Sequence, residues 1–320
     1  MFAVRGLAVS FSIFILLYGA LSVAVRMAWR RAWLRAQHYS ARRCADLLFA
    51  LRLAPFVIAT AVTFAFVVPS FLLLEPRTVS EPIGSLPVVL GLCGIALAMA
   101  GTWNAVLALR RASRTVAQWS NAAQPISSGS VANNSVSLLR SSAVAPPLSA
   151  AGILRPTVWL SQAAESVLSQ RELQSALRHE VVHIRRRDNL RKLILCLLAF
   201  PGTAELERTW REATEMAADD AAVSSASEAL DLASAVIKLS RLARLDPPPE
   251  LTTALVRGPA ESVNERVERL LAWTERRENP SPAYSLGYAL GAAVGVVATL
   301  AITYSELLVR IHTATEWLVR

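Results

Sequence analysis

Cysteine is nearly absent from this chain: Cys44, Cys93 and Cys196 are the only three in 320 residues. So few thiols exclude a disulfide framework and fit a protein kept in reducing surroundings. Histidine is almost as rare, with His38, His179, His183 and His312. Acidic residues are outnumbered by basic ones, 24 against 33, for a formal charge of +9. Such a balance invites a nucleic-acid reading. No zinc-finger, helix-turn-helix or aromatic RNA-binding signature accompanies it, so no direct nucleic-acid contact is expected.

Apolar residues are abundant. They make up 53% of the chain, and mean hydropathy is +0.39, too high for an ordinary soluble enzyme. The excess is gathered into blocks at about 7–25, 53–74, 87–109 and 284–304. Each reaches the roughly 20 residues that cross a hydrocarbon core of about 30 Å. Ser22-Val23-Ala24 resembles a signal-peptide cleavage site. However, only Arg5 precedes the first block, and Arg26, Arg30, Arg31, Arg35, Arg42 and Arg43 follow it in a stop-transfer pattern. The block is read as a retained span. These arginines, facing anionic headgroups of a lipid bilayer, also account for much of the net charge.

Four spans and the positive-inside rule set a topology. The N-terminus is expected outside, the Arg26–Arg43 loop inside, and the short loop Glu75–Leu86 outside. Arg110, Arg111 and Arg114 return the chain to the cytoplasm. Residues 1–111 thus form a three-span membrane domain. Residues 112–283 form a cytoplasmic domain, 284–304 the fourth span and 305–320 a short external tail. Gly287, Gly291 and Gly295 put small residues on one face of the fourth span, suited to packing on the other spans or to a homodimer.

Two of the four histidines stand in His179-Glu180-Val181-Val182-His183, within a helix-like segment from about Gln170. Four residues turn a helix by about 400°, so His179 and His183 share a face and can ligate one zinc ion. Glu180 beside them is placed to take a proton from a metal-held water. A peptidase zinc needs a third protein ligand. Glu205–Val223 reads as a helix carrying Glu215 and Asp219 four apart. Glu215 is preferred as the ligand because only it has an Asp at i+4, which can accept a hydrogen bond from a ligating histidine. Glu212 is the competing ligand. No oxyanion stabiliser stands out.

Elsewhere in the cytoplasmic domain, 115–135 reads as linker and Leu193–Phe200 as an apolar run too short to span. Val136–Leu139 and Thr157–Leu160 suggest a small hairpin or sheet. It would serve either as an edge for an extended substrate or as packing. Arg185–Arg187 could bind lipid headgroups or acidic groups of a substrate, but are read first as a solvated face near the membrane, with Asp188 available to pair with one of them. Leu230–Arg244 and Val263–Trp273 have the apolar spacing of packed helices. Glu275–Pro280 reads as a tether.

These pieces together resemble the integral-membrane zinc metallopeptidases of the beta-lactam-sensor (BlaR/MecR) type. The likeness is carried by Pro147–Ser161, by HEVVHIRRRDNL (His179–Leu190), and by REATEMAADDAAV (Arg211–Val223). It implies a mainly α fold, with an α+β zincin-like (gluzincin) domain inserted between spans three and four. It also implies Zn2+ held by His179, His183 and Glu215, with Glu180 catalytic. The setting implied is the bacterial cytoplasmic (inner) membrane, with the peptidase domain cytoplasmic and regulatory proteolysis of a protein substrate such as a winged-helix repressor. The antibiotic sensors carry a large external penicillin-binding domain. The expected tail is too short for one, so beta-lactam acylation is not carried over and a membrane sensor partner is a candidate. Two other readings stand: a quality-control or processing zinc peptidase, and a non-catalytic membrane receptor or scaffold that keeps a zinc site. The intact Glu180 speaks against the last.

Overall fold

The computed structural model describes residues 2–36, 39–76, 84–120, 124–125, 137–141, 146–242, 251–255, 260–273 and 303–315. The expected fourth span, apart from residues 303 and 304, lies outside the described residues. So do its three glycines and the whole 275–280 tether. The described chain is mainly helical with one small sheet.

One compact unit comprises Met1–Ala28, Leu51–Met99 and Arg276–Arg320. It draws on α1 (Phe2–Ala36), α2 (Ala41–Val62), a π-helical stretch (Thr63–Val67), α3 (Val68–Leu74) and α4 (Ser85–Ser120). Among the described residues, three helical stretches, Phe2–Arg31, Ala41–Leu74 and Ser85–Ser120, are long and apolar enough to cross a membrane. They are longer than the hydropathy blocks because their basic and polar ends continue the helix.

The π-helical stretch has a readable cause. Pro69 has no N–H to return to the Ala65 carbonyl, four residues back. The Tyr304 hydroxyl donates to that carbonyl at 2.7 Å. Residues 303–315 are helical, and Ile311 packs beside Val9 and Val67. At one end of this unit Arg5 Nη1 lies 2.9 Å from Glu75 Oε1, and His312 Nε2 lies 3.8 Å from Glu75 Oε2. The start of α1, the end of α3 and the end of the 303–315 helix therefore meet on one side.

The second unit comprises Trp29–Ala50 and Ala100–Glu275. Its strands are β1 (Gln124–Pro125), β2 (Ser137–Ser141), β3 (Leu148–Ala151), β4 (Thr157–Ser161) and β5 (Thr252–Ala254), in the order β1-β2-β4-β3-β5. The two strands read from sequence, β2 and β4, do not form a hairpin with each other; they run parallel. The hairpin partner of β4 is β3, a four-residue strand between Pro147 and Gly152 that was too short to stand out. β4 is paired on both sides, while β2 is paired with β4 along its length and with β1 only at Leu139 and Arg140, so both strands serve the packing role. The linker expected from 115 gives way to helix as far as Ser120. Trp119 is buried there against Trp159 of β4, and that contact outweighs the polar composition.

The helices of this unit are α5 (Gln162–Val167), α6 (Gln170–Arg186), α7 (Asp188–Leu197), α8 (Ala204–Ala222), α9 (Ala226–Leu242) and α10 (Ala260–Leu271). α6 packs against α8 and α9, with Ala176, Leu177, Leu232, Val236 and Leu239 in the shared core. At Gly101 a Cβ would stand 2.1 Å from the Leu197 carbonyl oxygen, so only glycine lets the end of α7 approach α4 this closely.

The start of α6 is fixed by a capping box. Ser169 Oγ accepts from the Glu172 N–H, and Glu172 Oε2 accepts from the Ser169 N–H. Glu172 also accepts from Ser234 and Lys238 of α9. Burial alone would raise its pKa. Lys238, Ser234 and the Ser169 N–H outweigh burial and bring it down to about 2 from 4.5. A depressed folded-state pKa contributes stability above the unfolded value that is lost as pH falls through the folded one. Glu172→Gln is therefore expected to destabilise this unit by about 2 kcal/mol at pH 7. Its melting-temperature deficit should shrink as pH falls below 4.5 towards 2. A deficit independent of pH would place the loss in shape rather than charge.

Candidate metal centre

α6 presents His179 and His183 on one face, as the four-residue spacing requires. Both are buried, as is Glu180 between them. After Arg186 the chain turns sharply. Arg187 adopts a left-handed conformation, with φ of 55°, and its N–H closes onto the carbonyls of His183 and Ile184. α7 then starts in a new direction, with Asp188 turned back towards the face it left. Asp188 Oδ2 accepts from His183 Nδ1 at 2.7 Å, while its Oδ1 lies 3.7 Å from Arg186 Nε. The pairing expected with a neighbouring arginine is thus present, but Asp188's closer partner is the histidine. Across the groove, α8 brings up Glu215 and Asp219. Asp219 Oδ1 lies 2.9 Å from His179 Nδ1, off the line of the ring N–H.

Each histidine thus has a carboxylate at Nδ1, which assigns the proton there and leaves a lone pair at Nε2. The two Nε2 atoms face each other at 3.1 Å. Glu215 Oε2 lies 3.5 Å from Nε2 of His179, and Oε1 lies 3.6 Å from Nε2 of His183. Glu215 Oε2 is buried without a hydrogen-bond partner among the described residues. With both rings neutral, the two Nε2 lone pairs and a Glu215 oxygen converge with no proton between them. One ligand atom from each residue lies within 4.8 Å of the others, so the group can hold a metal ion. Glu212 is placed differently, accepting from Arg208 on an exposed side of α8.

The electrostatics follow from burial and charge. Burial opposes ionisation of Glu215 and Asp219. The His183 charge on the first, and the Arg266 guanidinium on the second, outweigh it and hold both well below the usual carboxylate range. Burial likewise opposes the charged imidazoles. Asp219 and Glu215 outweigh it at His179, and Glu215 with Asp188 does so at His183, so both are pushed up. Glu180 moves the other way for a carboxylate: burial raises it despite both histidines and Thr253.

Two further residues belong to the site that sequence reasoning missed. Arg266 of α10, 3% exposed, makes a two-bond pair with Asp219 at 2.8 and 2.7 Å. It also donates to the Leu255 carbonyl at 2.7 Å and stands 3.3 Å from Glu215 Oε2. Its signal was present but faint: an arginine on the apolar stripe of Val263, Val267 and Leu270. Thr253 of β5 donates its hydroxyl to Glu180 Oε2 at 2.8 Å. Nothing in the local sequence marks it.

The family model described as BlaR1 peptidase M56 matches residues 76–270, more than half of the chain. The chain belongs to the BlaR1 peptidase M56 family. No curated protein matches it. The matched stretch of this M56 peptidase contains every residue of the centre, from His179 to Arg266, together with α4, one of the three helices able to cross a membrane.

Proposed function

We propose that this M56 peptidase is a zinc-dependent endopeptidase of the bacterial inner membrane. It cleaves a cytoplasmic transcriptional repressor or similar regulator, with a membrane sensor partner as the candidate source of its signal. The facing Nε2 atoms of His179 and His183, 3.1 Å apart and each backed by a carboxylate, carry the reading. Glu215 brings one carboxylate oxygen to 3.5 Å from His179 Nε2 and the other to 3.6 Å from His183 Nε2, and one ligand atom from each residue lies within 4.8 Å of the others. The 3.1 Å between the two Nε2 atoms is close to the edge of about 3.3 Å expected of a tetrahedron whose ligands lie about 2.0–2.1 Å from zinc. His179, His183 and Glu215 would hold the ion. When bound, it supplies a Lewis acid that polarises the scissile carbonyl and makes water more acidic.

The chain's own residues do the rest. Asp188 and Asp219 orient the two imidazoles and keep their Nδ1 atoms protonated. Glu180, buried and raised in pKa, takes a proton from the attacking water and delivers it to the departing amine nitrogen. A raised value brings a carboxyl nearer to neutrality, where proton transfer in both directions is efficient. The N-terminus lies outside and the catalytic unit inside. The arginine runs around 26–43 and 110–114, and the meeting of Arg5, Glu75 and His312 at one end of the helical unit, support that orientation.

Removing a ligand tests the centre directly. Purified wild-type protein is expected to carry one zinc per chain by elemental mass spectrometry. His183→Ala is expected to carry less than about a tenth of that. Full occupancy in His183→Ala would sink the ligand set. The substrate side is tested by comparing new protein N-termini in cells making the wild type and Glu180→Gln. A regulator fragment present only with the wild type is expected.

A further inference from the structure

Glu180 makes one side-chain hydrogen bond among the described residues, from the Thr253 hydroxyl to Oε2 at 2.8 Å. Its Oε1 is buried and has no hydrogen-bond partner among them. The same hydroxyl lies 3.3 Å from the Ala150 carbonyl. It has one proton, and the shorter, charged acceptor takes it.

Thr253 is itself held rigidly. It pairs with Ala150 across β3 and β5. On one side of it the Thr252 carbonyl accepts from Lys192 of α7 at 2.9 Å. Beyond Ala254 the Leu255 carbonyl accepts from Arg266 of α10 at 2.7 Å. The strand that carries the hydroxyl is therefore tied to the two helices that also supply Asp188 and Arg266 to the metal centre.

We propose that Thr253 is a positioning residue for proton transfer. Its hydroxyl fixes the Glu180 carboxylate plane by holding Oε2, which leaves Oε1 as the oxygen that receives the proton from water. The terminal torsion of a glutamate is broad and roughly two-fold, so without this bond either oxygen could turn towards the reaction. Misplacing a reacting group by about 1 Å costs up to 100-fold in rate. The proposal rests on Glu180 being the base.

The experiment compares cells making the wild type, Glu180→Gln, Thr253→Val and Thr253→Ser. The readout is the yield of the N-termini that the wild type creates. Zinc content and melting temperature are measured on each purified protein. Thr253→Val keeps the shape and removes the hydroxyl, so product is expected to fall about tenfold or more with zinc content unchanged and the melting temperature lowered by only a few degrees. Thr253→Ser keeps the hydroxyl and should stay within about threefold of the wild type. Wild-type yield from Thr253→Val would overturn the proposal. Equal loss in Thr253→Ser, or loss of zinc in Thr253→Val, would do the same by placing the effect in packing or in the metal. If Thr253→Val does not accumulate, Thr253→Ala is judged by the same criteria. If the wild type and Glu180→Gln give the same N-termini, the base assignment itself fails and the proposal goes with it.

Discussion

Glu180→Gln is expected to abolish cleavage and leave zinc content unchanged. Glutamine matches glutamate in shape and still accepts the Thr253 hydroxyl at its carbonyl oxygen, so the buried site stays filled. It cannot take up a proton. Positioned proton transfer is worth about 10²–10⁴ in rate, so regulator fragments should drop by at least that lower bound. The two imidazoles and Glu215 do not depend on Glu180 for their placement. His183 is held by Asp188, and His179 and Glu215 by the Asp219–Arg266 pair. Metal retention together with lost cleavage separates a base from a structural residue. Lost metal in Glu180→Gln would argue that the carboxylate charge is part of the ligand field. Retained cleavage would point to a scaffold whose associated protease is a different chain.

The largest stability effect is expected from Arg266→Met. Asp219 and Arg266 are 4% and 3% exposed in their side chains and share two hydrogen bonds. Removing the guanidinium leaves Asp219 charged and buried, and breaking a buried pair from one side costs about 3–5 kcal/mol. In a unit of this size that corresponds to a fall in melting temperature of roughly 10 °C or more. The Leu255 carbonyl loses its donor as well. Zinc affinity is expected to fall about 10–100-fold, because Asp219 no longer has a fixed position from which to orient His179. Arg266→Lys should recover only part of this, since an ammonium cannot reproduce the planar two-bond geometry. Thermal melting of the purified protein with and without a chelator measures both effects. An unchanged melting temperature in Arg266→Met would mean that Asp219 is neutral in the folded chain.

What could be read from the sequence depended on distance along the chain. The spacing of His179 to His183, and of Glu215 to Asp219, is set by the helical repeat, so their shared faces were legible once a helix was assigned. The joining of α6 to α8 was inferred from the chemical need for a third ligand rather than from any pattern. Asp188 was visible as a residue but not as the partner of His183. An uninterrupted helix would carry it well round from that histidine, and the left-handed turn at Arg187 has no glycine or asparagine to announce it. Thr253 and Arg266 reach their partners over 73 and 47 residues, and no local rule spans such gaps. The apolar blocks marked the membrane helices, but not how far α4 runs, because Trp119 is anchored by a tertiary contact with Trp159.

The clamp from α10 also sets an order on synthesis. A ribosome makes the histidines, Glu215 and Asp219 before it makes Arg266, which follows Asp219 by 47 residues. At about 5–20 residues per second that interval lasts roughly 2–9 s. During it the two carboxylates on α8 lack the cation that neutralises them, and β5 has no Arg266 to hold its far end. The newborn chain therefore carries its candidate metal ligands before the residue that braces them. The bracing residue is made only after the three described helices that are long and apolar enough to cross a membrane.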